Sequence, residues 1–293
     1  MQITAAMVKE LRERTGSGMM ECKKALTAAG GDIDQAIEDM RKSGLAKADK
    51  KAGRTAAEGL VIIEISDDKK EAAIVEVNCE TDFVSGGDDF KGFVSAIAKR
   101  ILSDSPADVA ALVALPLADD GDSIEETRQA MVAKIGENIQ VRRFARASTD
   151  AAFGSYMHGT RIGVLVEMEN GNDELVKDVA MHIAASSPVC VDEDQVPAEL
   201  LEKEKEIFIA QAKESGKPDD IIEKMISGRM RKYLAEITLV GQPFVKDPDQ
   251  SVGKLLSAAG ATARSFFRYE VGEGIEKKQE NFADEVMAQI EAS

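Results

Sequence analysis

A chain of 293 residues exceeds one ordinary domain, and 44% hydrophobic with 31% charged residues predicts a folded protein with two or more cores. A formal net charge of −16 argues against nucleic acid as a direct partner, because phosphates are neutralised by basic surface, and favours proteins with basic patches. The three cysteines, Cys22, Cys79 and Cys190, are odd in number and far apart, which excludes a disulfide framework or a CxxC pair and reads as buried thiols in a reducing compartment. No run approaches the ~18 apolar residues of a membrane span. The start, Met-Gln-Ile-Thr-Ala-Ala, does not read as a leader, so the expectation is a cytoplasmic protein without membrane contact.

Residues 4 to 44 carry three short helical patterns. Thr4 can cap the first, whose apolar positions Val8 and Leu11 precede a stop at Gly16; Met20, Ala25 and Leu26 mark the second, closed by Gly30-Gly31. Asp32-Ile33-Asp34-Gln35 reads as a capping box before Ile33, Ala36, Ile37 and Met40 at helical spacing. So small a bundle serves as a docking piece. Arg41 to Arg54, rich in alanine and lysine (Lys42, Lys47, Lys50, Lys51), reads as an exposed connector or a solvated helix tail.

Beyond residue 54 the same order of elements occurs twice. In the first copy Leu60–Ile65 and Ala72–Asn78 read as strands around Asp67-Asp68-Lys69, followed by a helix with Phe90, Phe93, Val94, Ile97 and Ala98. In the second, Ile162–Val166 follows a turn at His158-Gly159 and leads, through Glu169–Asn172, to a helix with Leu175, Val179, His182 and Ile183. Each copy ends on a helix and a strand: Met131–Ile135 then Ile139–Phe144, and Val252–Ala259 then Ala263–Val271. Within the first copy, Ser103–Asp122 reads as a linker rich in Pro, Ala and Asp. The second copy is interrupted from Pro197 to Leu234 by two helical patterns with Leu200, Leu201, Ile207 and Phe208, then Ile221, Ile222, Met225, Ile226, Met230 and Tyr233, around a break at Ser215–Asp219. At 1.5 Å per residue the arms of such a hairpin are roughly 20 to 25 Å long. Phe282, Val286 and Ile290 give the tail a helical stripe. The predicted class is α+β: a three-helix (UBA-like) module and linker at 1–54, core subdomains at 55–150 and at 151–196 with 235–274, an antiparallel coiled-coil insertion at 197–234 and a C-terminal helical module at 275–293.

No catalytic constellation is legible. His158 and His182 neighbour no nucleophile motif, and His182 lies in the apolar stripe of a helix, which reads as structural. A phosphate loop is absent, and Gly272-Glu273-Gly274 lacks the third glycine of a dinucleotide fingerprint, so no nucleotide or other cofactor is expected. Asp247–Gly253 fails as a calcium loop, with Ala258 where a bidentate glutamate would fall, and reads as a turn and cap; cysteines and histidines nowhere approach zinc spacing, so no metal is expected. The acidic pairs Asp88-Asp89 and Asp119-Asp120 sit in polar breaks and read as caps or loops.

The most informative stretch is Cys79-Glu80-Thr81-Asp82-Phe83-Val84, where the strand pattern of Ile74, Val75 and Val77 ends before Gly86-Gly87. A phenylalanine just past a strand ordinarily anchors a core. Beside Asp82 and ahead of two glycines, Phe83 also reads as a probe held out for a partner's apolar crevice.

Four separated segments resemble the bacterial elongation factor Ts family: Val8–Gly16 with Met19-Met20 and Cys22–Leu26; Thr81-Asp82-Phe83-Val84; Lys134-Ile135-Gly136-Glu137-Asn138-Ile139; and Phe266–Glu276. Met157–Leu165 agrees, and the likeness covers almost the whole chain in the long, two-subdomain form, departing around Ser103–Asp122 and at Glu80. The resemblance implies a guanine nucleotide exchange factor for elongation factor Tu in translation, without covalent chemistry. It binds the GDP-bound GTPase, disturbs its magnesium and phosphate site, and is displaced by GTP. Carried onto this sequence, it implies that Asp82 and Phe83 enter the GTPase, that Thr81 and Val84 shape the segment, and that His158 is a second contact or a turn stabiliser. The helical insertion would touch another part of elongation factor Tu. Whether the chain is a homodimer or forms a 2:2 complex is left open, and the alternative class is a non-catalytic scaffold using the UBA-like module.

Overall fold

The computed structural model describes residues 3–214 and 218–276, with backbone alone at 45–47, 213, 219 and 220. The tail stripe Phe282, Val286 and Ile290, and residues 215–217 of the helical break, lie outside the described residues. By internal contacts the chain divides into two units, the described parts of Met1–Leu60, Val75–Phe144 and Val271–Ser293, and those of Val61–Ile74 and Ala145–Glu270.

The first unit opens with α1 (Ala5–Thr15), α2 (Met19–Ala28) and α3 (Ile33–Lys51). The Thr4 hydroxyl caps α1 by accepting from Met7 N, and Gly16 closes it in the left-handed region at φ 66°. Val8, Leu11, Cys22, Leu26 and Ala36 form its core, edged by Ile33, Ile37 and Met40. Two expectations are corrected. Asp32 does accept from Gln35 N, but the Gln35 amide donates to Asp39 instead of reaching back, so the capping box is half made. Of the two readings of Arg41–Arg54 the helix tail holds through Lys51 and the connector does not, but the tail is not solvated all round: Gly44 and Ala48 are buried, and a Cβ on Gly44 would lie 3.3 Å from Ala133.

Strands β1 (Glu58–Ile65) and β2 (Glu71–Cys79) follow, then the single turn α4 (Asp82–Ser85) and α5 (Asp88–Asp104), which buries Phe90, Phe93, Val94, Ile97 and Ile101. The supposed linker contains α6 (Val109–Ala114), capped by Asp108 and anchored by buried Leu112. Its apolar run is too short to show a helical period, which is why it reads as linker. Next come α7 (Ile124–Ile135), opened by a complete Ser123/Glu126 capping box, and β3 (Ile139–Ser148). The sheet order is β1-β2-β3.

The second unit continues with β4 (Ala152–His158), β5 (Ile162–Glu169) and α8 (Asp173–Ser186). β4 was not expected, because Gly154 interrupts its pattern; the glycine is there because a Cβ would lie 2.1 Å from Val176 Cγ1. β5 is buried on both faces, Val164, Val166 and Met168 packing with Val179 and Ile183, and Leu165 with Ala72 and Phe153. Helices α9 (Ala198–Lys213) and α10 (Asp219–Ile237) pack on each other, with Phe208 edge-on to Tyr233 at 6.3 Å and Arg229 5.8 Å from the Phe208 ring. The unit ends on β6 (Pro243–Phe244), β7 (Asp247–Ser251), α11 (Val252–Ala258), capped by Ser251, and β8 (Thr262–Glu270). Antiparallel pairing gives the order β4-β5-β8, so in both sheets a hairpin is joined by a strand that arrives after intervening helices. The coarse class is α+β with N-terminal helices and antiparallel sheets.

Candidate functional site

β2 delivers the chain to Glu80 with buried Cys79 behind it, and Thr81 turns it at φ −125° and ψ 155° into α4. A four-residue helix cannot stabilise itself, since its nucleation cost is not recovered by propagation. Neighbouring groups fix it. Cys79 Sγ donates to Thr81 O at 3.2 Å, Ser85 Oγ to Asp82 O at 3.1 Å, Gly86 N to Asp82 O at 2.9 Å and Gly87 N to Val84 O at 3.0 Å. Gly86 and Gly87 have ordinary negative φ, so they serve close packing rather than a left-handed turn: added Cβ atoms would meet Asp82 O at 3.2 Å and Val84 O at 3.3 Å.

On this mount Phe83 is 90% exposed and Asp82 is exposed beside it, while Val84 and Thr81 are half-buried. Phe83 is therefore no core anchor. Burial, and then the Glu137 carboxylate, push the Cys79 thiol up to about 12, so it is a packed, protonated group. Cys22 is also buried, whereas Cys190 is half-exposed, against the expectation of three buried thiols.

Sequence reasoning missed the groups beneath the segment. Glu137 accepts from Thr81 N at 3.0 Å and Thr81 Oγ1 at 2.7 Å; Glu80 accepts from Asn138 N at 2.6 Å and pairs with Arg54 at 2.7 Å. Lys134 donates to Asp89 at 2.8 Å in the first turn of α5. The signal was there in part, since Lys134–Ile139 carried the family resemblance, but periodicity gives no hint that it meets residues 80–89. Fully buried Glu76 was missed too. It accepts from Arg143 Nε at 2.6 Å, Arg142 Nη1 at 3.0 Å, Gly272 N at 2.8 Å and Asn78 Nδ2 at 3.1 Å. Burial pushes its carboxyl up, but the Gly272 amide and the two arginines outweigh that and hold it below its ordinary 4.5.

His158 belongs to the other unit, exposed at the end of β4, with Nδ1 3.3 Å from the Tyr156 hydroxyl. His182 is fully buried, as a structural histidine should be. Val245 N donates to its Nδ1 at 3.2 Å, which places the proton on Nε2, 3.0 Å from Gln242 Oε1. The N-terminal bundle exposes Met19 at 60% and Met20 at 77% on α2 beside Lys23 and Lys24.

The family model described as "Elongation factor TS" matches residues 80–273. Along their full lengths this chain is 67% identical to elongation factor Ts of Thioalkalivibrio sulfidiphilus over 295 residues and 64% identical to that of Methylococcus capsulatus over 294. Elongation factor Ts of Legionella pneumophila strain Paris is 56% identical over 288 residues, 98% of each chain. With a framework that holds an aromatic ring out at the motif of resemblance, and with full-length relatives at this identity, the chain belongs to the elongation factor Ts family.

Proposed function

We propose that this chain opens the nucleotide site of elongation factor Tu by inserting Phe83, with Asp82 beside it, into the GTPase. As a member of its family the chain is a nucleotide exchange factor for elongation factor Tu in translation elongation, a cytoplasmic factor that does no covalent chemistry. The carrying observation for the site is the Phe83 ring, 90% exposed on a one-turn helix pinned from below. Asp82 brings a negative charge to the neighbourhood of the partner's magnesium and phosphates. Thr81 and Val84 give the turn its shape.

Burying such a ring yields about 1.5–3 kcal/mol, available only when the GTPase has moved into its nucleotide-releasing form. Magnesium requires near-ideal octahedral oxygen ligands, so a small displacement of its support weakens it, and GDP loses its strongest counter-charge. Reciprocity completes the cycle: whatever factor the exchange factor takes from nucleotide affinity, nucleotide takes from the exchange factor, and GTP in excess displaces it.

The domain reading accompanies this. Residues 1–54 form a UBA-like docking module, supported by the exposed Met19 and Met20; 55–150, and 151–196 with 235–274, form two related core subdomains, supported by the matching sheet orders. Residues 197–234 form an antiparallel coiled-coil arm that touches a different part of the GTPase. His158 is a second contact on its turn.

The test is stopped-flow release of fluorescent GDP from elongation factor Tu. Phe83→Ala lowers the catalysed rate by roughly 10- to 150-fold, the factor equivalent to that burial. Because the ring is exposed in the free chain, the variant keeps wild-type stability. An unchanged release rate removes Phe83 from the mechanism.

A further inference from the structure

We propose that Glu137 is a positioning residue for exchange, a latch that keeps α4 wound so that Phe83 is presented before the partner arrives; this rests on the reading of Phe83 above.

The latch is built by the chain reversal after α7. Gly136 takes φ 84°, a left-handed conformation that favours glycine, and its N–H closes the helix on Val132 O at 2.8 Å. The next residue, Glu137, presents both carboxylate oxygens to Thr81, Oε2 to the amide and Oε1 to the hydroxyl. Thr81 occupies the N-cap position of α4, where a threonine hydroxyl ordinarily accepts from the helix it precedes. Here it makes no such bond and donates to Glu137 instead. The residue placed to cap the helix is thus tied to a group 56 positions away, while the contacts within Cys79–Gly87 are local.

A second, reversed tie lies alongside. Glu80 accepts from Asn138 N as Glu137 accepts from Thr81 N, so neighbouring residues of the two segments exchange carboxylate-to-amide bonds. Such bonds are short and about twice as strong as neutral ones. Lys134 fixes Asp89 on the far side of the segment. Residues 134–138 therefore bracket 80–89 at both ends and leave Asp82 and Phe83 exposed between. Without the Glu137 tie a four-residue helix would unwind readily, and Phe83 would have to be ordered at the moment of contact.

The experiment uses the full chain. Glu137→Gln puts an amide donor where a two-oxygen acceptor stood; Thr81→Val removes the hydroxyl; Thr81→Ser keeps both donors. Hydrogen–deuterium exchange of residues 80–87 in the free protein, and the second-order rate constant for catalysed GDP release, are measured for each. The expectation is faster local exchange and an approximately tenfold lower release constant for Glu137→Gln and Thr81→Val, with Thr81→Ser close to wild type. In a Phe83→Ala background, Glu137→Gln costs no further activity, because it acts through that ring. The same fold-loss in both backgrounds, or unchanged local exchange in Glu137→Gln, overturns the latch. Should Phe83→Ala alone leave release unchanged, the role of Phe83 falls and with it the positioning role of Glu137; unaltered local exchange, by contrast, sinks the latch and leaves Phe83 standing.

Discussion

Replacing Glu76 by glutamine tests a carboxylate that four groups of the first unit share. Glu76 is fully buried and accepts from two guanidinium groups, the Gly272 amide and the Asn78 side chain. Leaving one partner of a buried pair uncompensated costs about 3–5 kcal/mol. Here the arginines are softer orphans: Arg142 and Arg143 are 25% and 31% exposed in their side chains and both also bond Glu273, so water and Glu273 take up part of the loss. Glutamine also keeps one acceptor. The expected destabilisation at pH 7.5 is therefore about 2–3 kcal/mol, read from urea unfolding followed by circular dichroism. Because the folded carboxyl titrates below its ordinary 4.5, its contribution is complete above that value and disappears as pH falls through the folded value. The gap between wild type and Glu76→Gln must then narrow below pH 4.5. A variant within about 0.5 kcal/mol of wild type, or a gap that persists in acid, would refute the reasoning.

Burial pushes His182 below its ordinary 6.5, so its stabilising contribution is present above 6.5 and is lost as pH falls through the lowered folded value; His182→Gln flattens the stability–pH slope on that acid side, seen in melts from pH 7 to 5. Gly59→Ala in β1 costs about 2–4 kcal/mol in urea unfolding, because at φ 145° its Cβ would lie 2.2 Å from the backbone oxygen of Val77, which cannot turn aside. Cys79, protonated and buried, resists alkylation at pH 8 in the native chain and reacts once urea exposes it, as mass spectrometry of the labelled peptides will report. Deleting 198–237 across a short linker leaves the Phe83 segment intact in the other unit but weakens binding to elongation factor Tu; unaltered affinity and exchange remove the arm from the interface.

The sequence was most legible where local chemistry decides the outcome. Thr4 caps α1 as its position announces, the stretch read as turn and cap puts Ser251 at the start of α11, and the apolar runs Leu60–Ile65 and Ala72–Asn78 became β1 and β2. The failures share a cause. Gly154 in β4 makes room for Val176, 22 positions on, and Gly44 in the α3 tail packs near Ala133, 89 positions on; no window of one helical turn contains these groups. Nothing local within Ile74-Val75-Glu76-Val77 marks Glu76 as buried, because its neutralising arginines lie on β3. In the site, Phe83 and Asp82 were named from local pattern and resemblance, but the carboxylates that hold them were not, since a glutamate in a polar turn looks like any other.

That division has a physical basis. The contacting group of an exchange factor must be unsatisfied in the free chain, so it stands out in sequence as an apolar residue in the wrong company. Its support must be fully satisfied, so those residues look unremarkable until the fold pairs them. An exposed phenylalanine on a flexible loop would give up much of its ~1.5–3 kcal/mol burial to ordering the backbone, at about 1–2 kcal/mol per residue fixed. Across the four residues of α4 that loss, about 4–8 kcal/mol, exceeds the gain. Carboxylates that order the turn during folding transfer the loss from the encounter to the folding reaction, where a large core absorbs it. On the proposed mechanism the exposure of Phe83 and the bonding of Thr81 to Glu137 belong to one device: the first without the second would be a hydrophobic side chain too costly to use.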